Sequence, residues 1–316
     1  MEKTLKLLKI SKSTYGFILI ILTYLIWSIM ELIAKDLGQR YDSFFIVFVR
    51  YVSQLVFLII IFNKNFINIS KTNMPKLQIG RGALLMMTTC FMFAGLASLP
   101  FAEHIAVYMI GPVLTTLLAI IFLKEKVSIK QIILIVLGLL GALIIANPTE
   151  KIFNYFILLP FMAALCFSFF IISTKFLNTT DNASTTLLYT AISGTILSIP
   201  LAFFFWETPF NTFDALLMLS MGIFVTAGHF CFIKALNYIN ASIAAPFVNL
   251  TLILAALWGY FLYNEIPSNN TYLGSVLIVI AGIMLTRLKK VCLAIIFIFK
   301  TFPGVYSCRQ LIDIRV

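Results

Sequence analysis

Residues 103–148 read EHIAVYMIGPVLTTLLAIIFLKEKVSIKQIILIVLGLLGALIIANP, and residues 240–287 read NASIAAPFVNLTLILAALWGYFLYNEIPSNNTYLGSVLIVIAGIMLTR. Each is a pair of apolar runs joined by a short polar hinge, and each hinge carries one acid, Glu125 or Glu265. An uninterrupted apolar run of roughly 20 residues has the length of a helix that crosses a bilayer. The stretch therefore reads as two adjacent membrane helices, used twice.

The rest of the chain has the same character. Of its 316 residues 61% are hydrophobic and 11% charged, with a mean hydropathy of +1.03, where soluble domains sit near half and a quarter. An integral membrane protein is the class this composition requires. The net charge of +11 would suggest nucleic acid in a soluble domain, but Lys and Arg gather between the apolar runs, where topology and anionic lipid account for them. The five cysteines have no paired or metal-ligand spacing, and Cys90, Cys166 and Cys231 lie inside apolar runs. They read as small buried hydrophobes, with no metal site and no cofactor expected.

A basic leader, residues 1–14, precedes an apolar run from Tyr15 to Ala34 that has no small-residue cleavage site and reads as an uncleaved first span. Further runs at about 43–62, 78–97, 103–122, 130–147, 154–174, 183–205, 213–235, 241–262 and 270–287 complete an expected ten transmembrane helices. Their continuity excludes a β-barrel, whose segments alternate. Residues 288–316 hold only a short apolar piece and read as a cytoplasmic or interfacial tail. With the N-terminus cytoplasmic, sixteen Lys and Arg, Arg81 among them, fall inside against Lys35, Arg40 and Lys151 outside. Both termini are thus expected in the cytoplasm.

A constant offset of 140 aligns Lys35 with Lys175, Ser28 with Ser168, Leu96 with Leu236 and Glu125 with Glu265, and one inserted residue brings Gly141 onto Gly282. The units are residues 15–148 and 149–287, five spans each. Five is odd, so the second copy enters the membrane from the opposite side. Two inverted five-helix repeats are an architecture of secondary transporters, with the substrate site near the midplane between the halves.

The repeat, the acids in FLKE and FLYNE, the glycine-rich spans LGLLGALIIANP and IVIAGIMLTR, and Arg81-Gly82 opening the third span resemble the drug/metabolite transporter superfamily, EamA type, over about residues 15–287. The resemblance implies a ten-helix carrier whose central cavity is lined mainly by spans 1, 3, 4, 6, 8 and 9. More narrowly, Lys35-Asp36-Leu37-Gly38, Val49-Arg50, Arg81-Gly82 and Ala245-Pro246 resemble the S-adenosylmethionine uptake branch of intracellular bacteria.

Ionisable groups inside spans are costly and point to function. Glu31 shares one face of the first span with Trp27, Met30 and Ala34, and Arg50 enters the second span to a similar depth, beside Ser53 and Gln54. Glu31 can receive a cationic substrate group or a proton, and Arg50 can hold a carboxylate or fix Glu31 ionised; a structural ion pair is the bland alternative. Their repeat mates are Ile171 and Thr190, so the charges are not duplicated. His229, deep in span 8, is a proton site, a substrate partner or a helix-bridging group. Pro112 and Pro246 interrupt spans 4 and 9, with Tyr108 and Asn249 about one turn away, and the freed carbonyls can line a cavity or merely bend the helix. Trp27 and Tyr108 suit stacking on a cationic or planar ligand. His104 reads as interfacial, and Lys35, Lys175 and Lys234 as snorkelling cations at span ends. The LGLLG glycines read as helix packing or dimerisation.

The expected function is therefore transport of a small polar metabolite across the bacterial inner membrane by alternating access, as a monomer or homodimer. S-adenosylmethionine is the favoured substrate: Glu31 and the aromatics suit its sulfonium and amine, Arg50 its carboxylate. Other amino acids, amines or drugs, imported or exported, remain alternatives. No Walker loop is present, and the sparse ionisable set offers no catalytic constellation, so neither an ATPase nor an enzyme is expected; a non-transporting receptor is the remaining class.

Overall fold

The computed structural model describes residues 11–62, 66–99, 101–147, 155–263, 266 and 268–287, and among them every regular element is helical. The first half contains α1 (Lys12–Leu37), α2 (Ser43–Phe62), α3 (Pro75–Ser98), α4 (Phe101–Tyr108), α5 (Gly111–Leu123) and α6 (Ile129–Ala146). The second contains α7 (Leu158–Leu177), α8 (Ala183–Phe205), α9 (Thr212–Tyr238), α10 (Ala241–Ala244), α11 (Leu250–Tyr263) and α12 (Asn269–Arg287), with a 3-10 segment, Ala245–Asn249, between α10 and α11. Among the described residues eight helical stretches are long and apolar enough to cross a membrane, and Gly111–Leu123 and Asn269–Leu285 are shorter apolar helices. The fourth expected span is short because the helix breaks at Met109-Ile110. The proline of Gly111-Pro112 then restarts it in the first turn of α5, where a missing N–H costs nothing. The tail, 288–316, lies outside the described residues, as do the Glu265 hinge and the leader through residue 10.

Most packing is between the halves, and it is exchanged by the 140-residue shift. α1 lies on α9 as α7 lies on α3; α2 lies on α9 as α8 lies on α3; α5 meets α7 as α11 meets α1. α2 packs on α8, and α6 on α12. This reciprocity is the relation a two-fold axis imposes. It reaches single atoms: a Cβ on Gly82 of α3 would stand 2.4 Å from Ser193 Cβ of α8, and a Cβ on its mate Gly222 of α9 would stand 2.4 Å from the backbone of Ser53, the mate of Ser193. Only glycine lets these helices approach so closely. Gly141 of the LGLLG stretch does the same against the backbone of Gly274 in α12, so these glycines serve packing within the chain.

The hinges are hydrogen-bond devices. Lys124 takes the left-handed conformation (φ 53°) that ends α5, and Ser128 caps α6 by accepting from the Gln131 N–H. Glu125 between them reaches the other half, accepting from the N–H groups of Ala241 (2.8 Å) and Ser242 (3.1 Å) and from the Ser242 hydroxyl (2.6 Å). A carboxylate there satisfies orphan donors at the start of α10. Lys175 does the converse, donating to the carbonyls of Leu236 and Ile239 (2.7 Å) at the end of α9. It caps a neighbouring helix of its own half, which differs from the snorkelling expected of it. Where the chain turns between α1 and α2, Tyr41 and Arg40 donate to Asp214 at 2.8 and 3.0 Å. At the other end, between α7 and α8, Asp181 accepts from Thr72 and from Gln78 (2.7 Å).

Candidate functional site

Glu31 lies six residues from the end of α1, about 9 Å of helix rise. It is exposed, yet its carboxylate is within electrostatic reach of Arg50 on α2 and of Tyr24 and Tyr108. A side chain that is open to solvent while interacting with groups on two other helices faces an interior crevice, and a carboxylate facing lipid would have no such neighbours. Arg50 is half-buried, its guanidinium 5.1 Å from the Tyr51 ring centroid and its Nε unpartnered. The described ion pairs within 4.0 Å belong to Arg40, with Asp36 and Asp214, so Glu31 and Arg50 stand near each other without a closed bridge. That leaves both charges able to take a third partner.

Trp27, one turn deeper on α1, is buried. Its ring lies over Gly228, where an added Cβ would be 2.4 Å from the indole, and its centroid is 4.9 Å from the His229 ring and 5.5 Å from Phe232. His229 continues to Phe170 (6.1 Å), which stacks on Phe232 (6.0 Å) and Phe167 (5.7 Å). These rings form one contiguous aromatic cluster on the deeper side of Glu31, backed by Phe17, Ile20, Phe247 and Leu236 of the largest apolar cluster. His229 is 1% exposed with an unpartnered Nδ1, and it feels the charges of both Arg50 and Arg81.

Tyr108 closes α4, and with Gly111, Pro112 and Thr115 it lines a small cleft that also touches Phe167, Ile171, Ala245 and Val248. The two interrupted helices thus meet at one place. Threonines just past the breaks back-bond to their own segments: Thr116 Oγ1 donates to Pro112 O at 2.8 Å and Thr251 Oγ1 to Val248 O at 2.7 Å. Ser28 and Ser168, the matched serines, bridge α1 to α11 through Trp258 Nε1 (3.0 Å) and α7 to α5 through Thr115 Oγ1 (3.0 Å).

Of the six residues expected in the site, Glu31, Arg50, Trp27, Tyr108 and His229 form one connected neighbourhood. Asn249 stands apart from it: it is 1% exposed, and its Nδ2 would be 3.1 Å from a Cβ on Gly138 of α6. His104, near the start of α4, is fully buried against Gly95 of α3, with Nε2 3.3 Å from Met92 Sδ. Arg81 is the residue the sequence reading missed. Counted there as a loop cation, it is 0% exposed inside α3, although the expected span 78–97 already enclosed it. Its Nε donates to Thr174 Oγ1 (2.6 Å), its Nη1 to Thr190 Oγ1 and Thr186 O (3.3 Å), and its Cζ lies 4.3 Å over the Phe170 ring.

Known proteins share this architecture. A solved crystal structure, 16% identical in sequence, superposes with a TM-score of 0.76 over 89% of this chain and 99% of its own. The S-adenosylmethionine uptake transporter of Rickettsia prowazekii is 30% identical over 266 residues, 83% of this chain and 89% of that protein. A riboflavin transporter of Vibrio cholerae is 28% identical over 60% of this chain and 63% of its own length, and a pseudopaline exporter of Pseudomonas aeruginosa is 24% identical over 87% and 97%. These relatives are named as transporters, none of them as an enzyme. Residues 14–147 and 154–287 each match the EamA-like transporter family, and the chain belongs to that family as a multi-span membrane protein.

Proposed function

We propose that this protein is a secondary carrier that imports S-adenosylmethionine, or a zwitterionic metabolite closely like it, across a bacterial inner membrane by alternating access. Ten crossings arranged as two inverted halves, 15–148 and 149–287, with both termini cytoplasmic, provide the frame. The observation that carries the reading is Glu31: an accessible carboxylate in an interior crevice, beside an arginine with which it forms no closed bridge. Glu31 takes the cationic end of the substrate, and the rings of Trp27 and Tyr108 take its sulfonium or planar part. Arg50 tunes Glu31, His229 forms part of the aromatic cluster, which acts as the plug that seals the far end, and Asn249 supports the interrupted ninth crossing.

The reciprocal packing of the halves lets one rock against the other, closing the crevice and opening the plug. The cleft beside Tyr108 has room for little more than a water molecule, far below the roughly 300–1,000 Å³ of typical ligand sites, so substrate passage requires this movement. Support also comes from the name of the Rickettsia prowazekii relative.

The test is uptake of radiolabelled S-adenosylmethionine, riboflavin and a panel of amino acids and polyamines into proteoliposomes, with and without an imposed proton gradient. Saturable S-adenosylmethionine uptake, competed by none of the neutral compounds, is expected. Riboflavin uptake, or efflux alone, would instead align the protein with its other named relatives. Correctly folded protein that moves none of them would end the carrier reading.

A further inference from the structure

Arg81 is a permanently charged group held without a counter-ion. Arg40 pairs with Asp36 and Asp214, and Arg50 feels the charge of Glu31. Arg81 has only dipoles and a ring: two threonine hydroxyls, one carbonyl and Phe170. Its electrostatic neighbours are Tyr51 and His229, and among the described residues no carboxylate lies within ion-pair distance. Nη2, sealed from solvent, donates to nothing. Taking a guanidinium out of water without an opposite charge is costly, and a fork with one free edge is the geometry that binds a carboxylate oxygen.

Its position is equally specific. Arg81 lies six residues from the start of α3, and Glu31 six from the end of α1. Since α1, α2 and α3 run alternately, these are opposite ends of the bundle. The rings of Trp27, His229 and Phe170 lie between, with Phe170 directly under the guanidinium.

We infer that Arg81 is the anion site of the carrier: its free edge holds the carboxylate of the substrate in the conformer in which the aromatic plug has parted. This rests on the carrier reading above. Because the amine and carboxylate of an amino acid share one carbon, Glu31 and Arg81, at opposite ends of the bundle, take the two charges in successive conformers and not together, and Arg50 takes neither. Thr174 and Thr190, from α7 and α8, aim the guanidinium, so the second half contributes by positioning a charge owned by the first.

The test pairs each substrate with its carboxylate-free counterpart: S-adenosylmethionine with decarboxylated S-adenosylmethionine, and methionine with 3-methylthiopropylamine. Uptake KM is measured for wild type, Arg81→Gln and Arg81→Lys, with thermal unfolding to confirm folding. The variants are expected to raise KM for the acid about ten- to a hundredfold, the weight of a charged hydrogen bond, and to leave that for the amine within about twofold, with Lys milder than Gln. Equal losses for acid and amine, or none, would overturn the inference while leaving the carrier reading in place. Wild-type uptake of methionine but not of S-adenosylmethionine, with the same selective loss, would end the substrate assignment and uphold Arg81. Should Arg81→Gln not fold, Arg81→Lys carries the comparison. A wild-type protein that prefers the amine of each pair overturns the inference outright.

Discussion

The two halves of this chain share a frame and differ in charge. Gly82 and Gly222 seat against Ser193 and Ser53, mates of one another, and Ser28 and Ser168 bridge equivalent helices. Yet Glu31, Arg50 and Arg81 of the first half face Ile171, Thr190 and Met221 at the matching positions of the second. Helix approach is constrained twice over, because each contact in one half recurs in the other. On the proposed reading recognition is constrained once, since both halves meet around a single site and each charge is needed there only once. Thr190 makes the point in one residue: where the first half has a cation at position 50, the second has a hydroxyl that accepts from Arg81.

Placing a carboxylate in the second half should break the comparison most severely. Ile171 is 1% exposed beside Phe170, so Ile171→Glu buries an unpaired acid and is expected to cost roughly 3–5 kcal/mol or prevent folding. Thermal unfolding in detergent measures this, and tolerance equal to that of Glu31 in place would mean that the halves are interchangeable. Next in size are the paired glycines. Both Gly82→Ala and Gly222→Ala should destabilise by about 1–3 kcal/mol, but only the first has a side-chain remedy. Ser193→Gly should restore Gly82→Ala, because Ser193 Cβ is the obstacle, whereas Ser53→Gly should not restore Gly222→Ala, whose obstacle is backbone. Rescue of both would show that the frame is looser than the reciprocal contacts imply. Smallest is Glu125→Gln, which keeps one acceptor and removes the charge at the start of α10. A loss of about 1 kcal/mol is expected, read as faster amide exchange at Ala241 and Ser242.

The repeat and the helical frame were legible because continuous apolar runs and a fixed offset are properties of the chain alone. Glu31 and Arg50 were legible for a related reason: a charge inside such a run advertises its own cost. What escaped depends on neighbours distant in sequence. Arg81 sits near a span end, where sequence cannot tell a loop cation from a buried one; its threonine partners lie 93 and 109 residues away. Lys175 looked like a snorkelling cation because the carbonyls it caps belong to α9, 61 and 64 residues on. Asn249 was grouped with His229 by depth alone, and rotation about the 3-10 segment turns it toward α6 instead. The fourth of the expected ten spans met a short helix, Gly111–Leu123, because apolar length does not reveal a break such as the one before Gly111-Pro112.

The central claim is that an accessible acid of the first half receives the substrate's positive end. Counterflow of radiolabelled S-adenosylmethionine, in proteoliposomes carrying wild type or Glu31→Gln at matched reconstitution, tests it most directly. Exchange should be robust in wild type and fall at least about a hundredfold in Glu31→Gln, as expected when a charged contact to the substrate is lost, with the unfolding temperature unchanged. Wild-type exchange rates in Glu31→Gln would contradict the account.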